Sequence, residues 1–112
     1  MESYIRAFKC LGDKTRIRIL KVIIQAKSSL CVCEIVDSLQ LPFYTVSKHV
    51  KELKNVGLLN ETKEGTFVLY SLKEKKDDFY SKLIELISLI PEEYFFNDLK
   101  FLNNRLSLRE NG

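Results

Sequence analysis

The chain has 112 residues, 46% of them hydrophobic, enough for one domain with its own core and too few for two. A formal net charge of +3 permits a nucleic-acid partner without demanding one. No apolar run approaches the roughly 18 to 20 residues of a membrane span, and three cysteines, an odd number, argue against a disulfide scaffold and for free thiols, metal ligation or redox chemistry in a chain expected to stay in the cytoplasm.

The pattern predicts a short first helix over 3–11, apolar through Tyr4, Ile5, Ala7, Phe8 and Leu11. Gly12 ends it, and Asp13 caps a second helix running to about residue 26. Ile17, Leu20, Val22, Ile23 and Ile24 make that helix apolar on more than one side, so it is expected to be central scaffold. Arg16 and Arg18 read as its solvated edge, with an arginine near the helix start also able to reach a phosphate.

Residues 28–70 read as helix, tight turn, helix and two-stranded hairpin. In the third helix Val32, Ile35, Val36 and Leu39 form the core stripe, spaced i, i+3, i+4 and i+7. Each helical residue advances about 100°, so Cys31 and Cys33 fall on opposite flanks of Val32, off the core and exposed. They lie in the first turn, where the helix dipole and free amides favour thiolate. In a regular helix two such thiols diverge by about 200°. One ion held by both therefore needs Cys31 in a non-helical lead-in, or a first turn that unwinds.

The fourth helix opens at Leu41-Pro42, since proline is tolerated at a helix start, and ends at Gly57. Val46, His49, Val50 and Leu53 face the core, where His49 is a structural residue rather than a ligand. Tyr44, Lys48, Lys51 and Asn55, flanked by Thr45 and Ser47, face outward. The second helix of a helix-turn-helix lies in the major groove with its N-terminal residues at base edges, so Tyr44, Thr45, Ser47, Lys48 and Lys51 are candidate DNA-binding residues. Leu58-Leu59 begins a strand, 63–66 make a glycine-containing turn that projects Lys63 along the phosphates, and 67–70 return. The ordinary reading of these lysines is a solvated face, with Glu52, Glu61 and Glu64 interrupting the positive charge.

After a charged linker over 73–78, Phe79, Leu83, Leu86, Ile87 and Ile90 stripe another helix, stopped by Pro91. A last helix over about 92–106 carries Phe95, Leu99, Leu102 and Leu106. The expected organisation is a single domain over 1–112: a winged-helix core over 13–72, dimerisation helices over 1–12 and 77–107, and a frayed tail over 108–112 that includes Arg109. The fold class is mainly α with a small β hairpin, a winged helix-turn-helix whose N- and C-terminal helices form a dimer interface.

Three motifs together carry a family resemblance: FKCLGDKTR from Phe8 to Arg16, LCVCE from Leu30 to Glu34, and TVSKH from Thr45 to His49. With Gly57-Leu58 and the 65–70 strand, they resemble the ArsR/SmtB family of metal- and metalloid-responsive winged-helix repressors. The resemblance implies a homodimer on an inverted repeat of double-stranded operator DNA, needing no cofactor to bind it. It also implies release when arsenite, antimonite or a soft divalent metal binds thiolates. Cys31 and Cys33 would be ligands. Where box-type arsenic sensors carry a third cysteine this chain has Val36, which leaves Cys10 as the third candidate; its ordinary reading is a core filler.

Thiolates suit soft ions, and three thiols without an available His make a poor four-coordinate zinc site. The alternative within the same fold is a repressor sensing thiol redox state or sulfur species through a disulfide or persulfide. An enzyme is not expected: the cysteine pair lacks a neighbouring base and there is no glycine-rich cofactor loop. No catalytic residue is assigned.

Overall fold

The structure is a computed structural model that describes residues 1–74 and 77–110. α1 (Glu2–Leu11) ends at Gly12, and Asp13 caps α2 (Lys14–Ala26) by accepting from the Arg16 amide at 3.1 Å. Of the predicted stripe of α2, Leu20, Val22 and Ile23 are buried and Ile17 and Ile24 half-buried, while Ile19, outside that stripe, is also buried, because the other α-helices all pack around α2. No helix among the described residues is long and apolar enough to cross a membrane.

A two-residue strand, β1 (Leu30–Cys31), leads into α3 (Val32–Leu39). The periodicity reading missed β1, which is too short to show alternation and exists because the returning strand of the hairpin pairs with it. Gln40 then takes a left-handed conformation (φ 56°), its amide bonded to the Val36 carbonyl at 2.8 Å, and Pro42 precedes α4 (Phe43–Asn55). That sharp reversal sets α3 against α4. Past Asn55, Gly57 (φ 86°) and the bond from the Leu58 amide to the Leu53 carbonyl turn the chain into the hairpin. Here the positive φ requires a residue without a Cβ penalty.

β2 (Leu59–Glu64) and β3 (Phe67–Leu72) pair antiparallel in register from Leu59 opposite Leu72 to Glu64 opposite Phe67, and β1 adds to the far side of β3 in the order β1-β3-β2. The tip is the pair Gly65-Thr66, with Gly65 at φ 60° as such a turn demands. Of the predicted 73–78 linker, residues 75 and 76 lie outside the described residues.

α5 (Asp78–Ser88) packs on α2, with Leu83 and Ile87 buried. The single last helix expected over 92–106 is instead a 3-10 turn (Glu92–Phe95) followed by α6 (Phe96–Glu110). α6 folds back along α3, so that Phe95, Leu99 and Leu102 are buried within this chain.

Expectations for three arginines are corrected by that packing. Arg18 is no solvated edge: its Nε and Nη2 donate to both carboxylate oxygens of Asp98 at 2.8 Å, and Nη2 also reaches the Leu39 carbonyl at 2.9 Å. Arg16 donates from Nε to His49 Nδ1 at 3.1 Å and from Nη1 to the Cys10 carbonyl at 3.3 Å. Arg109, expected in a frayed tail, lies in α6 and is held by four acceptor atoms on the α3 side. The partners of all three arginines stand far along the chain or in another element, where local periodicity carries no trace of them. Residues 111 and 112 lie outside the described residues.

Candidate nucleic-acid interface and thiol site

α4 has one buried side and one open side. Val46, Val50 and Leu53 are fully buried, and His49, half-buried, accepts the Arg16 bond as a structural histidine. Tyr44, Lys48, Lys51 and Asn55 are exposed, with Thr45 and Ser47 half-buried beside them, so the predicted outward stripe is present. Phe43, absent from the predicted set, opens the same helix with its ring exposed. Its only sequence signal is a large apolar residue outside the core stripe.

The wing is fixed to this helix at its base. Glu61 accepts from the Tyr70 hydroxyl at 2.6 Å and pairs with Lys54 at 3.5 Å. The Tyr70 bond, ahead of the Lys54 and Lys63 charges, holds the Glu61 carboxyl below its ordinary range. Glu61 is thus committed to an internal bond. Among the described residues no salt bridge engages Lys48, Lys51 or Lys63, and all three are exposed. Lys63 sits on β2 opposite Val68, one pair short of the tip.

The thiols divide differently from the flank arithmetic. Cys33 is exposed, as predicted, whereas Cys31 is only 9% exposed. Cys31 is the N-cap of α3, with extended backbone (φ −80°, ψ 162°), and β1 places it opposite Leu69. Cys31, Glu34, Ile35 and Ser38 form the i, i+3, i+4, i+7 face that is covered, because α6 packs against α3. Cys31 therefore stands in the non-helical lead-in, the first of the two conditions for a shared ion. Cys31 is buried and Cys33 exposed, so a shared ion still needs the two side chains to turn toward each other.

Glu34 organises the neighbourhood. Its Oε1 accepts from the Cys31 amide at 3.0 Å while the Glu34 amide faces the Cys31 sulfur, the reciprocal arrangement of a capping box. Arg109 grips the same carboxylate, Nε to Oε2 at 2.5 Å and Nη2 to Oε1 at 2.6 Å, and also donates to the Ser29 carbonyl at 2.8 Å and the Ser28 hydroxyl at 3.3 Å. Burial works to raise the Glu34 carboxyl. The Arg109 guanidinium and the Cys31 amide outweigh it, so the group is held below its ordinary range. A Glu three residues after an N-cap was a readable signal for this role; Arg109 had none.

The Cys31 thiol is pushed up, first by burial and then, against the pull of the Glu34 amide, by the charges of Glu34 and Cys33. This corrects the expectation of a first-turn thiolate: at Cys31 desolvation and a buried carboxylate outweigh the helix dipole. Cys31 is one of the residues lining a cavity of about 550 Å³, with Ser28, Ser29, Phe67, Leu69 and Arg105.

Cys10 is not brought to this site. It is 4% exposed in the last turn of α1, where burial pushes its thiol up, the Arg16 guanidinium pulls the other way and Glu52 and Asp13 are the nearby carboxylates. Among the described residues no three His, Cys, Asp or Glu side chains come together in a metal-binding group.

Residues 13–61 match the family described as bacterial regulatory protein, arsR family. Over 90 residues the chain is 40% identical to an HTH-type transcriptional regulator of Methanocaldococcus jannaschii, covering 78% of this chain and 97% of that one. It is 30% identical over 91 residues to an arsenic resistance transcriptional regulator of Pseudomonas putida, covering 81% and 70% of the two chains. Among solved structures, reduced HlyU of Vibrio cholerae superposes with a TM-score of 0.65 at 27% identity, covering 77% of this chain and 85% of that one. With an open recognition helix, a wing and these relatives, the chain belongs to the ArsR family of winged helix-turn-helix, DNA-binding transcriptional regulators, and is not an enzyme.

Proposed function

We propose that the chain is a cytoplasmic, homodimeric repressor that leaves an inverted-repeat operator when a thiol-seeking inducer bridges Cys31 and Cys33. The observation that carries this reading is the placement of Cys31 as the extended N-cap of α3 with Cys33 two residues on, at the opposite end of α3 from the turn into the recognition helix. An inducer drawing on Cys31 acts on the N-cap whose amide Glu34 accepts, and through Glu34 on Arg109 of α6. Cys10 is assigned to the core, not to the ligand set.

Proton accounting favours arsenite or antimonite over a soft divalent ion. Neutral arsenous acid condenses with two thiols, forming two As–S bonds and releasing two waters, with no net proton. A dication needs two thiolates and must displace their protons. Burial and the Glu34 charge push the Cys31 thiol up, which works against the second route.

The test is fluorescence anisotropy of the reduced protein on its own upstream DNA, titrated with arsenite, antimonite, cadmium, zinc and a mild oxidant. Release by arsenite is expected, with a midpoint nearly unchanged between pH 6 and 8 and abolished by Cys31→Ser or Cys33→Ser but retained by Cys10→Ser. Release by oxidant alone would move the function to thiol redox or sulfur-species sensing. Lys48→Ala and Lys51→Ala are expected to weaken DNA binding and flatten its salt dependence, by about one unit of slope for each phosphate no longer neutralised.

A further inference from the structure

We propose that Phe43 and Tyr44 read thymine methyl groups in the major groove, and so set the base preference of each half-site. The inference rests on the DNA-binding role of α4. The two rings are the first two residues of that helix and are 57% and 78% exposed, while the side of α4 turned to the protein is filled by Val46, Val50 and Leu53. Among the described residues neither ring enters an aromatic pair, whereas aromatic residues of α1 and α5 do. Pro42, at φ −59°, fixes the chain immediately before them.

Recognition-helix residues at this end reach base edges. The major-groove edge of a base pair offers hydrogen-bond donors, hydrogen-bond acceptors and one apolar group, the thymine C5 methyl. Phenylalanine can make only the apolar contact. Tyr44 adds a hydroxyl at the ring's far end, and it heads the stripe Tyr44, Lys48, Lys51, spaced four and three, whose exposed ammonium groups suit phosphates or guanine acceptors. The apolar element of recognition is thereby confined to the start of the helix and the cationic element follows it. A protein partner on this face would have to bury Lys48 and Lys51 along with the rings, which is costly unless acidic groups meet them. The phosphate backbone meets them without further provision.

The test uses the full chain. Duplexes are enriched from a random-sequence library, and in the best-bound duplex each thymine is replaced in turn by deoxyuridine, which removes the methyl and leaves the hydrogen-bonding edge intact. We expect one or two thymines per half-site at which this weakens binding about fourfold, the value of burying one such carbon. The same replacement is expected to be silent for Phe43→Ala or Tyr44→Ala, both read on proteins with unchanged circular dichroism. Deoxyuridine without effect anywhere in a tightly bound duplex would overturn the thymine reading and leave DNA binding standing. Equal sensitivity in wild type and both variants would overturn the assignment to these rings. Failure of any duplex to enrich would overturn DNA binding itself, and this proposal with it.

Discussion

Cys31 and Cys33 are two residues apart and chemically unlike. One is a buried N-cap whose thiol is raised by desolvation; the other stands in solvent at the second position of the helix. Alkylation under native conditions, followed by mass spectrometry, is expected to label Cys33 first, with Cys31 and Cys10 reacting at least tenfold more slowly and catching up in denaturant. Comparable native rates at all three would contradict the burial. The same neighbourhood makes a pH prediction. Glu34 has its carboxyl lowered in the fold, so its contribution to stability is fully present above its unfolded value, near pH 4.3, and is lost as pH falls through the folded value. Glu34→Gln is expected to cost about 2 kcal/mol at pH 7, typical of losing charge-assisted bonds from a buried acceptor. In urea unfolding, the gap between wild type and variant should narrow below about pH 4.

The elements divide into those visible in periodicity and those made by long-range packing. α2 and α4 were readable because a residue such as Leu20 or Val50 repeats on a helical face that is buried, and Asp13, Gly57 and Gly65 carry their turn chemistry in their identity. β1 and the α6 clamp were not. β1 is two residues held by β3, and α6 helps to bury the Cys31, Glu34, Ser38 face, of which helical arithmetic places Cys31 outside the core. Lys21 is the sharpest such case, a cation in the middle of a core helix. Its Nζ donates to the carbonyls of Ser88 and Ile90 at 2.9 and 3.0 Å, where α5 ends, and lies 5.4 Å from the centre of the Phe95 ring. It therefore joins α2 to the C-terminus of α5 and to the turn before α6. Lys21→Met keeps the apolar stem and strands two carbonyls. It is expected to lose about 2 kcal/mol, measured by chemical denaturation, with operator affinity unchanged at temperatures where the variant stays folded.

For the molecule as a whole, folding leaves apolar side chains of the first helix and of the α5 end exposed. The stripes of α5 and α6 expected at a dimer interface are in good part spent internally, on Leu83, Ile87, Leu99 and Leu102. Tyr4, Ile5 and Phe8 of α1, Leu86 of α5 and Leu89 just past its end remain exposed, and Phe79 links the two helices edge-on, its ring 4.7 Å from Tyr4 and 5.3 Å from Phe8. A second copy meeting these side chains about a two-fold axis would cover them with the same residues and present two recognition helices to half-sites about 34 Å apart. On the proposed homodimer reading, a chain of net charge +3 with a few lysines on its recognition face is expected to depend on the pair for operator affinity. Phe8→Glu and Leu86→Glu lie outside the core and are expected to fold normally, to halve the mass seen in sedimentation, and to weaken operator binding by more than tenfold. The salt slope supplies the internal check. It grows with the number of phosphates neutralised, so a protein reduced to one recognition helix should show about half the wild-type slope. A full slope at reduced affinity would mean that both copies still engage the DNA and that these side chains join something else.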